Sequence, residues 1–150
     1  MTALTFEDLA PGPVGTFGPY VVSEDEILEF GRRWDPQRMH VDPEAAGATI
    51  FGGLIASGWH TGAITMRLAV DGWLSRLDVI GGTSMDDVRM LRPVRPGDAL
   101  RVDVAVDDLE PARPPRRGGR VRWSFALRNQ DDAVVFTGST TMLVAGRPEV

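Results

Sequence analysis

A carboxylate and an imidazole stand five residues apart at Asp35 and His40, in Trp34-Asp35-Pro36-Gln37-Arg38-Met39-His40-Val41-Asp42, and His40 is one of only two histidines in the chain. Such a pair can hold one water molecule and move protons to and from it, since imidazole has a reference pKa of about 6.5 and a positioned acid or base typically contributes about 10²- to 10⁴-fold in rate. Further along, Ala56-Ser57-Gly58-Trp59-His60 reads as the head of a helix. A backbone N–H at such a point, here that of Gly58, is placed to receive negative charge building on an oxygen, and the helix dipole adds to the effect. Together these are parts for adding or removing water. Ser57 reads as the N-cap of the helix rather than as a nucleophile. A Ser57–His60 dyad is set aside, because both residues would sit in one helical turn with no third group to orient the imidazole.

The flanking sequence predicts the elements that position these residues. Ser23-Glu24-Asp25-Glu26 has the form of a capping box, and Ile27, Phe30 and Trp34 follow at helical spacing. A helix of about three turns is expected there, with one buried stripe, ending near Trp34 because Pro36 disfavours helical geometry at Asp35. Asp35 should therefore be extended or in a turn at a helix end. Asp42-Pro43 predicts the cap and first residue of a short second helix, and Gly47, Gly52 and Gly53 break the chain after it. From Ser57 to about Leu74 the sequence predicts a long helix largely surrounded by protein, with Trp59, Ala63, Met66 and Val70 on one stripe and Ile64 and Leu68 beside it.

A first short strand is expected around Phe17 to Val22, after a loop broken by Pro11, Gly12, Pro13 and Gly15. Everything after Gly82 reads as strand: Ser84 to Leu91, a strand beginning at Ala99, Val121 to Arg128, and a last one from about Ala133 to Val144. Leu100 to Asp107 and Val121 to Arg128 alternate apolar and polar residues, the mark of half-buried antiparallel strands. This order predicts one α+β domain over residues 1–150, its sheet wrapped around the long helix.

Composition removes whole classes of chemistry. There is no cysteine, so disulfides, thiolate zinc sites and cysteine nucleophiles are out, and two histidines make a histidine-rich metal cage an unpromising reading. All 16 basic residues are arginine, which excludes Schiff-base and phosphate-loop lysines. A net charge of −5 argues against a nucleic-acid surface. The N-terminal residues lack a basic segment and apolar run, and no apolar stretch approaches the ~20 residues of a membrane span, so a cytoplasmic protein is expected.

The Asp35-to-His40 spacing, the Ser57-Gly58 helix start and the turn Arg92-Pro93-Val94-Arg95-Pro96-Gly97-Asp98 resemble the MaoC-like hydratases and dehydratases of the hot-dog fold, which include the (R)-specific enoyl-CoA hydratases. The family motif has an aspartate, a variable residue, Asn-Pro, an apolar residue, then the histidine with an acidic residue nearby. Here Gln37 stands in place of Asn, Arg38 in place of Pro, and Ser57 in place of a histidine. The resemblance implies a single hot-dog domain in which Asp35 and His40 activate water for addition across the 2,3 double bond of an enoyl thioester, or for the reverse dehydration. It further implies the Gly58 N–H on the thioester oxygen, Gln37 and Ser57 as substrate-binding positions, no metal, and no cofactor beyond the coenzyme A of the substrate. The implied partners are an acyl-CoA thioester, with acyl carrier protein as a second carrier, and another copy of the chain in a homodimer with active sites at the interface.

Two other readings stay open: a thioesterase on the same fold, which does not need the Asp35/His40 spacing, and a non-catalytic acyl-thioester binding subunit. Trp34, Met39, Trp59 and Met66 could line an acyl pocket, although each residue type is more often plain core. Arg113, Arg116, Arg117 and Arg120 read as a solvated hairpin before they read as a site for coenzyme A phosphates.

Overall fold

A computed structural model describes residues 3–148. The elements run β1 (Gly12–Val21), α1 (Glu24–Trp34), α2 (Arg38–Val41), α3 (Pro43–Gly47), α4 (Gly58–Gly72), β2 (Val79–Met90), β3 (Ala99–Pro111), β4 (Gly119–Arg128) and β5 (Val134–Val144), with one-turn 3-10 helices at Phe6–Asp8 and Leu74–Arg76. The five strands form one antiparallel sheet in the order β1-β3-β4-β5-β2. This is the α+β hot-dog architecture that the sequence predicts.

The sheet's inner face follows from alternation. Leu100, Val102, Val104 and Val106 of β3 are buried, as are Val121, Trp123, Phe125 and Leu127 of β4, while Arg120 and Arg122 point to solvent. Ile64, Leu68 and Ala69 of α4 close the core from the other side. Trp123, 1% exposed, stands edge-on to Trp73 at 5.6 Å between ring centroids, and the aromatic stack continues through Phe125 to Phe136.

Several expectations need correction. The first strand begins at Gly12, not Phe17, and tolerates Pro13 and Pro19 because β1 lies at the sheet edge and is bulged at Pro13/Gly15 and Phe17/Tyr20. The strand expected at Ser84 begins at Val79. Trp34, placed on the buried stripe of α1, is 65% exposed, whereas Ile27 of the same stripe is fully buried.

The largest difference lies in α4. Its predicted stripe is turned outward, with Trp59 71%, Met66 38% and Val70 37% exposed and Ala63 exposed beside them, while His60, Thr61, Ile64, Thr65, Leu68 and Ala69 face the protein. Threonines can occupy the inner face because their hydroxyls are satisfied within the helix: Thr61 donates to the Ser57 carbonyl at 3.3 Å and Thr65 to that of Thr61 at 2.9 Å. Strand β2 is likewise exposed along its length apart from half-buried Gly81 and presents Ile80, Met85, Val88 and Met90 to solvent. Among the described residues no helix is long and apolar enough to cross a membrane.

Candidate active site

Helix α1 starts as the sequence predicts, with Ser23 accepting from the Glu26 N–H and the Glu26 carboxylate accepting from the Ser23 N–H. It stops at Asp35, whose φ of −150° and ψ of 71° are non-helical, as the following proline requires. His40 lies in α2, a single turn absent from the sequence reading, which returns the chain toward α1. The two helices touch so closely at Gly31 that a Cβ there would come within 2.6 Å of the His40 carbonyl oxygen. Gly31 thus lets the His40 backbone rest against α1. A glycine in the middle of a helical pattern, costing about 1 kcal/mol against alanine, was the one signal that could have marked it.

The third component is the head of α4. Ser57 is its N-cap, accepting from the Trp59 N–H at 3.3 Å, and its hydroxyl donates to Asp35 Oδ2 at 2.7 Å. Gln37 donates from its side-chain amide to Asp35 Oδ1 at 2.8 Å. These two hydrogen bonds, Ser57 first, hold the Asp35 carboxyl below its ordinary value, against partial burial, so Asp35 is ionised at neutral pH. The positive end of α4 acts in the same direction. Ser57 and Gln37 therefore orient the carboxylate, a contact that spacing alone did not reveal.

His40 is 6% exposed, and its Nε2 lies 3.4 Å from Asp35 Oδ2. Its Nδ1 is 2.8 Å from the Ile55 carbonyl oxygen, which can only accept, so in the neutral ring Nδ1 carries the proton and Nε2 presents a lone pair. A lone pair on Nε2 and an ionised carboxylate are both acceptors. One water molecule donating a proton to each satisfies the pair and leaves its own oxygen free to attack.

Asp35, Gln37, His40 and Gly58 line one cavity of about 440 Å³, walled mainly by apolar residues that include Met39, Phe51, Ile55, Trp59, Met90, Leu91 and Phe136. Thr61 and Arg92 are further polar lining residues. Gly58 lies at this cavity's wall, and its N–H is one of the four at a helix start with no partner inside the helix. Gly58 also admits Met90, since a Cβ would overlap the Met90 sulfur and terminal methyl. Of the candidate lining residues Met39 and Trp59 are present, and Trp34 and Met66 are not. His60 lies outside the cavity and pairs instead with Glu26. Arg113, Arg116, Arg117 and Arg120 line a separate cavity with Ile80 and Val144. Ile80 belongs to the end of β2 opposite Met90, so within one chain the arginines are remote from Asp35.

Residues 8–120 match the MaoC-like domain family. The chain belongs to the MaoC-like dehydratase family. It is 37% identical to the uncharacterised protein YdeM of Bacillus subtilis (strain 168) over 123 residues, which cover 82% of this chain and 86% of YdeM. Among solved structures it is 37% identical to the MaoC-like dehydratase from Rhodospirillum rubrum, with a TM-score of 0.83 over 98% of this chain and 100% of that one. The R-hydratase PhaJ1 from Pseudomonas aeruginosa shares the fold, at 23% identity and a TM-score of 0.77 over 99% of this chain and 92% of that one. MaoC-like membership places the chain among hydro-lyases of the hydratase and dehydratase kind.

Proposed function

We propose that this MaoC-like protein is a cytoplasmic hydratase or dehydratase acting at the 2,3 position of an enoyl thioester carried on coenzyme A or an acyl carrier protein. The observation that carries the reading is the pair of acceptors, Asp35 Oδ2 and His40 Nε2, 3.4 Å apart at the wall of an apolar cavity that Gly58 also lines. In hydration the water oxygen bonds to C3, one water proton passes to the pair, and one proton is delivered to C2 as the double bond is lost. Asp35, kept ionised by Ser57 and Gln37, is the fixed acceptor, and His40 is the group that changes protonation. The Gly58 N–H faces the thioester oxygen, where enolate charge collects. No step needs a metal or a cofactor beyond the thioester carrier.

Crotonyl-CoA tests the reading through loss of the conjugated-thioester absorbance. Hydration by the wild type, abolished in Asp35→Asn and His40→Ala, is the expected result. Release of free thiol would indicate a thioesterase, and neither signal across short, long, branched and ring-bearing enoyl-CoAs would remove the enzymatic reading.

The reading includes a homodimer. Strand β2 has a free edge twelve residues long, apolar at Ile80, Met85, Val88 and Met90, with Met90 packed beside Gly58 at the head of α4. A strand pairing antiparallel with its own copy is self-complementary about a two-fold axis. Light scattering should give twice the chain mass, and Met85→Glu should give a monomer; a monomeric wild type would exclude the assembly.

A further inference from the structure

The second histidine belongs to no motif and lies outside the cavity, yet it is as buried as the first, each being 6% exposed. His60 sits in the first turn of α4, two residues beyond Gly58. Its Nε2 lies 3.2 Å from Glu26 Oε1, and its ring stacks on Phe30 with centroids 4.9 Å apart and planes within 9°. Both partners belong to α1, the helix that ends in Asp35.

Glu26 is itself held from three sides. Its Oε1 also accepts from the Tyr20 hydroxyl at 3.0 Å, and its Oε2 accepts from the Ser23 N–H and hydroxyl, each at 3.2 Å. One carboxylate therefore ties together the end of β1, the start of α1 and the start of α4. The His60 Nδ1 is buried without a hydrogen-bond partner. Nε2–H must then be the donor to Glu26, and a second proton on the ring would create a buried donor with nothing to accept it. Burial indeed pushes His60 below the ordinary histidine value, although Glu26 pulls the other way. The link is a neutral imidazole donating to a carboxylate.

Its place explains its use. Asp35 and the Gly58 N–H come from different helices, and the reaction needs both at fixed positions around one substrate. The Ser57–Asp35 hydrogen bond joins the helices at the site, and the His60 contacts with Glu26 and Phe30 join them one to three turns away. With both links in place, α1 and α4 are joined at the site and again along α1 toward its start.

We propose that His60 is a positioning residue for the reaction, acting through Glu26 and Phe30 to hold Asp35 at its distance from the head of α4. The catalytic arm of this proposal rests on the hydratase reading above; the structural arm does not. The chain has only two histidines, so a His60 variant leaves one imidazole in the spectrum, that of His40, with no assignment needed.

His60→Phe keeps a ring against Phe30 and removes the donor to Glu26, while His60→Gln keeps a donor. In histidine-labelled protein at fixed pH, the wild type should show the Nε2–H tautomer at His60. His60→Phe should move the His40 ring resonances, and His60→Gln should return them toward the wild-type positions. In hydration assays kcat should fall about tenfold in His60→Phe with KM changed less than twofold, with recovery in His60→Gln, since misplacement by about 1 Å costs up to roughly 10²-fold. Unmoved His40 resonances in folded His60→Phe would overturn the proposal, whatever the enzyme assay shows. So would a loss of kcat that merely tracks the unfolded fraction, measured by near-ultraviolet circular dichroism, or one that His60→Gln fails to recover. A wild type inactive on every enoyl thioester, with the resonance pattern as expected, would remove the hydratase reading and leave the positioning role standing.

Discussion

Two histidine–carboxylate pairs lie at the two ends of α1 in this protein, and only one borders the cavity. His40 with Asp35 and His60 with Glu26 are alike in burial and in separation, 3.4 Å and 3.2 Å. They differ in which ring nitrogen is committed. At His40 a backbone carbonyl takes the Nδ1 proton, so the nitrogen facing the carboxylate has a lone pair and the two groups together invite a water. At His60 the carboxylate takes the proton itself, and the remaining nitrogen is sealed in protein. The first pair lines a cavity and the second fastens two helices. A titratable pair is therefore judged by its free valence and its access to solvent or substrate, more than by its distance.

The strongest way to break this comparison is to delete each imidazole. His40→Ala should lower kcat by about 10²- to 10⁴-fold in protein that circular dichroism shows to be folded, a loss read by enoyl-CoA absorbance. His60→Ala should destabilise the protein by about 2–4 kcal/mol in chemical denaturation, the usual cost of a buried side chain, with a far smaller loss of kcat. Equal loss of activity in both would erase the distinction. Next in size is Gly58→Ala, which keeps the backbone N–H but displaces Met90. A roughly tenfold loss of kcat/KM is expected, mainly through KM, because one misplaced group at a binding wall costs about 1–3 kcal/mol; shortening Met90 to alanine in the same chain should recover most of it.

Ser57→Ala sharpens the comparison at the first pair alone. Losing the N-cap should cost about 1 kcal/mol of stability. Losing the main hydrogen bond to the Asp35 carboxylate should raise the Asp35 pKa toward its ordinary value, read from its carboxyl carbon resonance across an acid titration.

The smallest effect separates the two pairs along the pH axis. His60 is pushed below the usual histidine value of 6.5, so on acidification the unfolded chain binds that proton first. The stability it contributes is complete above pH 6.5 and is lost as pH falls through the value in the folded state. Asp35 is held below the usual 3.8, and its contribution is present above that value and lost only in stronger acid. Melting temperatures should thus decline in two windows, and His60→Phe should remove the milder one only. A single decline below pH 4 in wild type and variant alike would contradict the assigned direction for His60.

Much of this was legible in the chain. The capping box at Ser23, the stop enforced by Pro36, the Asp42-Pro43 start and the alternating strands all arise within a few residues, where local geometry is decided by sequence neighbours. Spacing and resemblance singled out Asp35, His40 and Gly58 as a set, and all three line one cavity. What failed was the orientation of α4. Its apolar stripe and its threonine face both suit a helix surrounded by protein, and periodicity cannot say which of two faces meets this sheet. The extent of β1 was missed because tolerance of Pro13 and Pro19 depends on being an edge strand, a property of the whole sheet.

By itself, then, the sequence determined the local elements, the class of fold and the residue types available for proton transfer, because these depend on short-range backbone chemistry and on what is absent, cysteine and lysine above all. Only the tertiary structure decided what each polar group does. It brought Ser57 and Gln37 onto opposite oxygens of Asp35, placed the Ile55 carbonyl where it sets the His40 tautomer, and turned His60 away from the cavity toward Glu26. Hydrogen-bond partners distant in the chain are chosen by packing, and a side chain's protonation follows from the partner it is given.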